Sequence, residues 1–126
     1  MSVTNSSVPK EKLKRGSINY SGRSLASLKK IAWRLLSLSI RRQAANTWGY
    51  VQCYTCGVRG RYQQMDAGHA IGGRTGAVLL DPEIIRVQCK RCNIFLRGNY
   101  PLFTTRLIKE RGLEWWEGKL QASRRV

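Results

Sequence analysis

Apolar residues recur at helical spacing from Ser24 to about Asn46, where Leu25, Leu28, Ala32, Leu35, Leu36 and Ile40 fall on one broad face of a 3.6-residue helix. Ser24 is placed as its N-cap. Lys30, Arg34, Ser37 and Arg41 follow at i, i+4, i+7 and i+11 on the other side, a basic stripe opposite an apolar one. Such stripes are usually the wet side of a helix; contact with DNA is the alternative. Downstream the period changes. Arg61–Asp66 and Glu83–Gln88 are short, mixed runs that predict two strands, joined by a loop carrying Gly72, Gly73 and Gly76. A short helical segment is expected from Asn93. Pro101 suits the first turn of a further helix running to Arg111, with Gly112 at its C-cap. Leu113 to about Ser123 predicts a last helix on which Trp116 and Leu120 share a face, and Trp115 and Trp116 read as core or interface groups rather than platforms for stacked bases.

Before Ser24 the pattern fades. Residues 1–23 are rich in Ser, Lys and Arg, contain Pro9, Gly16 and Gly22, and carry too few large apolar groups to offset the entropy of ordering them. The organisation expected is therefore a flexible basic arm at 1–23, an amphipathic basic helix at 24–49, a chemical centre at 50–112 and a C-terminal helix at 113–126, in an α+β fold. The length of 126 residues suits one small domain with a tail and excludes a large multidomain enzyme.

Charge sharpens this. Lys and Arg number 23 against 7 Asp and Glu, giving a net charge of +16. Such a chain favours a polyanion, because each phosphate neutralised by Lys or Arg releases condensed counterions. Nucleic acid is the expected partner, with an anionic membrane surface as the weaker rival. The longest apolar stretch, Ile31–Ile40, is broken by Arg34, Ser37 and Ser39 and falls short of the ~20 apolar residues a spanning helix needs. Met1–Gly16 lacks the apolar core of a signal peptide. An intracellular chain with reduced cysteines is thus expected, on which the sequons at Asn5 and Asn19 carry no meaning.

Residues 50–100 hold all four cysteines and the single histidine. Cys53-Tyr-Thr-Cys56 and Cys89-Lys-Arg-Cys92 are two CxxC knuckles, which together supply four thiolates for a tetrahedral zinc ion. Segment 57–88 between them is longer than the ~15–20 residues of a compact ribbon, so the metal would staple the base of an inserted hairpin. A four-cysteine site is closed and leaves no open coordination position, which argues for a structural ion.

Asp66-Ala-Gly-His69 lies between the knuckles, at the expected end of the first strand. A nuclease needs a general base of near-neutral pKa, and His69 has that chemistry. Magnesium or manganese prefers oxygen ligands; Asp66 offers a carboxylate, Asn93 and Asn99 offer amide oxygens. Residues three apart on a strand face opposite sides, so Asp66 and His69 would converge only if the chain bends at Gly68. Each group also has an ordinary structural reading: Asp66 in a turn, Asn93 as a helix cap, Asn99 turning the chain before Pro101.

The order Cys53-x-x-Cys56, Asp66-Ala-Gly-His69, Gln88-Cys89-x-x-Cys92-Asn93, Gly98-Asn99 resembles the NinG/Rap family of lambdoid-phage recombination endonucleases, zinc-stapled relatives of the HNH group. The likeness spans roughly residues 50–112. It implies a ββα-metal (HNH, His-Me finger) core with flanking helices, in which His69 is the general base, Asp66 and Asn93 are ligands of a catalytic magnesium or manganese ion, and the four cysteines hold structural zinc. It implies metal-dependent hydrolysis of branched DNA, including Holliday junctions and displacement loops, by a homodimer in the cytoplasm of the phage's bacterial host. The helix at 24–46 is the expected dimer interface; Lys30, Arg34, Arg41, Arg74 and Arg97 are the expected DNA contacts. Two departures bear on the ligand set: many HNH enzymes carry an acidic or His ligand where Gly68 stands, and a late His or Lys where Arg97 stands. The rivals are a non-catalytic zinc module that binds nucleic acid and a small basic RNA-binding protein of the ribosomal kind.

Overall fold

The computed structural model describes residues 20–73 and 76–124. Most of the expected basic arm, together with Arg74, lies outside the described residues.

Helix α1 spans Leu25–Ala44. The Ser24 hydroxyl accepts the Ser27 N–H at 3.1 Å, and Arg41 and Arg42 occupy the last turn, where cations complement the helix dipole. No residue of α1 is fully buried. Its contact with the core runs through Trp33, Leu36 and Ile40 at i, i+3 and i+7. This corrects the expected apolar face, since Leu25 points to solvent and Leu35 is 54% exposed. The helix carries two apolar stripes, and the one bearing the large indole faces inward.

Strands β1 (Tyr50–Gln52) and β2 (Arg59–Arg61) form an antiparallel pair around the first cysteine knuckle, closed by Cys53 N–H to Val58 O at 2.8 Å. Strand β3 (Asp66–His69) is followed by the short helix α2 (Gly76–Leu79) and then by β4 (Ile85–Gln88). β3 and β4 are antiparallel, with Asp66 opposite Gln88 and His69 opposite Ile85. The strand expected at 61–66 is thus displaced: Arg61 ends β2, a tight turn takes Tyr62–Gln64, and Asp-Ala-Gly-His is itself the strand. Those four residues have weak strand propensity; pairing with β4, where Ile85, Val87 and Gln88 are buried, overrides it. The second strand starts two residues later than expected because Pro82–Ile84 form a turn capped by Asp81, whose carboxylate accepts the Glu83 N–H.

Helices α3 (Tyr100–Arg111) and α4 (Leu113–Ser123) meet at Gly112, whose φ of 98° suits glycine and whose N–H bonds Ile108 O at 2.8 Å. The main core gathers Ala67, Ile71, Val78, Ile84, Ile85, Phe103, Leu107 and Trp116, with α1 and α4 packed on it through Trp33, Leu36, Ile40, Trp115 and Leu120. A smaller cluster of Val51, Met65 and Val87 surrounds Cys53 and Cys92. The fold is mixed α+β, built on two small antiparallel sheets. Among the described residues no helix is long and apolar enough to cross a membrane.

Candidate metal centre and polar cleft

The first knuckle is the turn of the β1–β2 hairpin and the second follows β4 directly, so the folding of both sheets brings the four sulfurs together. The Sγ atoms of Cys53, Cys56, Cys89 and Cys92 all lie within 4.8 Å of one another, with Cys56 Sγ and Cys89 Sγ 3.7 Å apart. A tetrahedral ion with Zn–S near 2.3 Å places its sulfurs about 3.8 Å apart, and a disulfide would need about 2 Å. All four cysteines are free. The two knuckles repeat one contact: Cys56 N–H points at Cys53 Sγ (3.5 Å) and Cys92 N–H at Cys89 Sγ (3.4 Å). Gly57, at φ 83°, lets the chain turn after the first knuckle.

The thiols oppose one another electrostatically. Burial pushes Cys53 up, but the Cys56 amide and Thr55 hydroxyl pull it down to about 6 on balance. At Cys89 burial and the neighbouring sulfurs act together against the Cys92 amide, and the thiol is pushed up to about 12. A dication among the sulfurs would replace the protons they compete for, which is the chemistry of a structural zinc site.

Beside this centre a polar cleft of about 430 Å³ opens between α1 and the β3–β4 hairpin. Trp33, Ser37 and Arg41 form one wall; Asp66, His69, Lys90 and Asn93 form the other. His69 Nε2 lies 2.9 Å from Leu79 O. A carbonyl only accepts, so the proton of the neutral ring sits on Nε2, and Nδ1 becomes the basic nitrogen. The imidazole is stacked on Trp33, with ring centroids 4.5 Å apart and planes at 28°. Asp66 Oδ2 accepts from Asn93 Nδ2 at 3.1 Å, and Asp66 Oδ1 from the Lys90 ammonium at 2.8 Å. A cation already stands at the carboxylate, beside an amide that would present its oxygen after a half-turn. One carboxylate and one amide oxygen are thus the hard oxygen donors that Asp66, His69 and Asn93 offer.

Asp66, His69 and Asn93 are thus brought to one cleft, although not by the expected bend. Gly68 stays in the ladder opposite Arg86, and its lack of a side chain serves packing instead. A Cβ there would overlap Gln88 Oε1 and come within 3.0 Å of Asn93 Oδ1. Gln88 is fully buried beneath it, donating Nε2 to Thr55 Oγ1 (3.1 Å) and Gly98 O (2.9 Å), and so ties the metal knuckles to the hairpin. We expect Gly68→Ala to destabilise the zinc-loaded protein by about 1–3 kcal/mol, read as a lower Tm by circular dichroism. An unchanged melting curve would refute the overlap.

Asn99 does not line the cleft: it is the N-cap of α3, and its amide donates to Cys92 Sγ at 3.5 Å. Arg41 is held in place, Nη1 bonding Tyr62 O (3.0 Å) and Nε bonding Ser37 O (3.2 Å). Lys30 and Arg34 are exposed on the same helix, and Arg97 is exposed beside a second cleft. Sequence reasoning missed Trp33 and the Leu79 carbonyl, as well as the pairing of Lys90 with Asp66 and the packing role of Gln88. Only Trp33 left a signal: it precedes Ser37 and Arg41 at steps of four, one stripe of a helix.

The family model described as "NinG: Bacteriophage Lambda NinG protein" matches residues 10–123. No curated protein and no solved structure gives a significant match.

Proposed function

The chain belongs to the bacteriophage lambda NinG family, and from that premise we propose that it is a metal-dependent endonuclease that hydrolyses phosphodiesters in branched DNA during phage recombination. The observation carrying this reading is the convergence of the sole histidine with Asp66 and Asn93 on one polar cleft. The β3–β4 hairpin, the helical turn after it and the four-cysteine centre that joins them support reading this region as a ββα-metal (HNH-like) core.

In this reading His69 Nδ1 takes the proton of the attacking water while the Leu79 carbonyl and the Trp33 face hold the ring in orientation. Asp66 and Asn93 would hold magnesium or manganese, which would supply positive charge to the phosphate being hydrolysed. Lys90, now paired with Asp66, would be freed to meet a phosphate. Lys30, Arg34, Arg41, Arg74 and Arg97 bind backbone phosphates, so selection rests on shape rather than base sequence. The products carry 5′-phosphate and 3′-hydroxyl ends. A homodimer is supported by Leu28, Ile31, Leu35 and Leu38, spaced i, i+3, i+7 and i+10 on the stripe of α1 that the core does not use. The setting is the host cytoplasm.

The test incubates zinc-loaded protein with labelled four-way, flap and linear DNA, with and without magnesium or manganese, alongside sedimentation equilibrium for the dimer. Metal-dependent cuts near the branch are expected. Binding without nicking under every metal condition would instead identify a non-catalytic nucleic-acid-binding module.

A further inference from the structure

Immediately after Asn93 the chain exposes three large apolar side chains in a row: Ile94 (55%), Phe95 (78%) and Leu96 (43%). The local backbone explains why. Leu96 N–H reaches back to Arg91 O and Gly98 N–H to Cys92 O, both at 2.8 Å, a wider turn than an α-helix makes. That turn keeps Cys92 buried and Asn93 on the cleft while the next three residues project outward. Its base is fixed. Arg97, Gly98 and Asn99 all have positive φ (51°, 96° and 50°), a costly run for two non-glycine residues. Gln88 bonds the Gly98 carbonyl, and the Tyr100 ring lies against the Cα of Gly98 and near that of Gly72, so the turn is braced from both sides.

The knob borders a second cleft, of about 350 Å³, whose lining includes Ile94, Arg97 and Tyr100 together with His69 and Asn93. A molecule seated there lies next to the proposed catalytic groups. Charge selects the occupant. Arg91 and Arg97 flank the knob and are exposed, and residues 89–109 contain no Asp or Glu. A second copy meeting this face through a two-fold axis would set those cations against their like. Nucleic acid neutralises them and offers base faces to the apolar groups.

We infer that Ile94–Phe95–Leu96 is a wedge that packs against unstacked bases at the branch of a DNA substrate, with Phe95 as the stacking group. In a continuous duplex the bases are stacked on one another and the wedge has no partner. At a branch they are opened, so the wedge converts a discontinuity of stacking into binding beside the scissile phosphate. This rests on the endonuclease reading above and supplies its source of branch selectivity.

The test uses the zinc-loaded full chain and a four-way junction carrying 2-aminopurine either at the branch or well within one arm, without divalent metal. Wild type is expected to raise the fluorescence of the branch probe only. Phe95→Ala is expected to lose that rise and to bind the junction about tenfold more weakly, the scale of one stacked base, with affinity for linear duplex unchanged. Phe95→Trp should retain both. Equal junction affinity and equal fluorescence in wild type and Phe95→Ala overturn the wedge, as does sedimentation showing that Phe95→Ala dissociates a dimer, which would assign the knob to self-association. Manganese-dependent nicking of the same junction separates the two readings. Cutting without base opening overturns the wedge alone, and base opening without cutting overturns the nuclease alone.

Discussion

Stripping the metal from the four-cysteine centre, or replacing Cys92 with Ala, is expected to unfold residues 50–111 rather than merely loosen them. The reason lies in the small size of both sheets, which apart from the metal are joined by few bonds, chiefly Tyr54 N–H to Val87 O and Gln88 to Thr55. β1 and β2 are three residues each, β3 and β4 four each, and an isolated two-stranded sheet of that size is not stable in water. Cys92 is 0% exposed and sits with Cys53 inside the smaller apolar cluster, so an empty or incomplete site leaves buried thiols among few apolar contacts. A structural zinc ion contributes about 10 kcal/mol or more at neutral pH, comparable to the whole ~5–15 kcal/mol stability of a small domain. The measurement is twofold. Metal analysis should give one zinc per wild-type chain and none bound tightly by Cys92→Ala, and circular dichroism should show chelated protein and variant losing structure together. Cobalt substitution adds a readout of geometry, because a tetrahedral tetrathiolate site gives intense visible absorption. A Cys92→Ala protein that melts like wild type would remove the ion from the fold's foundations.

What the sequence disclosed, and what it hid, divides along the range of the interactions. The cysteine pairs were legible because two CxxC knuckles carry their own chelating geometry whatever surrounds them. Gly112 and Pro101 were legible for the same reason, since each acts on its own backbone. Strand β3 was not, because Asp-Ala-Gly-His becomes a strand only through β4, about twenty residues away. The role of Gly68 was likewise invisible: the group it makes room for is Gln88, whose side chain reaches it only once the hairpin has closed. The inward face of α1 was read only in part: Leu36 and Ile40 do pack on the core, but periodicity reports that an apolar stripe exists, and with two stripes on one helix the indole of Trp33 had to be weighed against a larger number of leucines. At the cleft, the types of Asp66, His69 and Asn93 were readable, whereas their tuning was not. The Leu79 carbonyl that fixes the ring's tautomer is a backbone atom with no side-chain signature.

Replacing His69 with Ala is expected to lower metal-dependent cleavage of branched DNA by about 10²–10⁴-fold, the usual contribution of a positioned general base, while leaving the fold and junction binding close to wild type. The separation follows from geometry. The imidazole is half-buried at the cleft rather than in the core, and its removal empties space between Trp33 and the Leu79 carbonyl. Loss of cutting by itself would also follow from a purely structural histidine, so the decisive readout is chemical rescue. Added imidazole can occupy the vacated space against Trp33 and accept the same proton, and it should restore part of the cleavage to His69→Ala. It should do nothing for Asp66→Asn, whose defect would lie in the group proposed to hold the divalent ion. Undiminished cutting by purified His69→Ala, or equal rescue of both variants, would overturn the assignment of the base. The thermal stability of His69→Ala, measured on the same zinc-loaded samples, guards the comparison, because a fold-wide loss would lower junction binding and cleavage in step whereas a missing base lowers only the second.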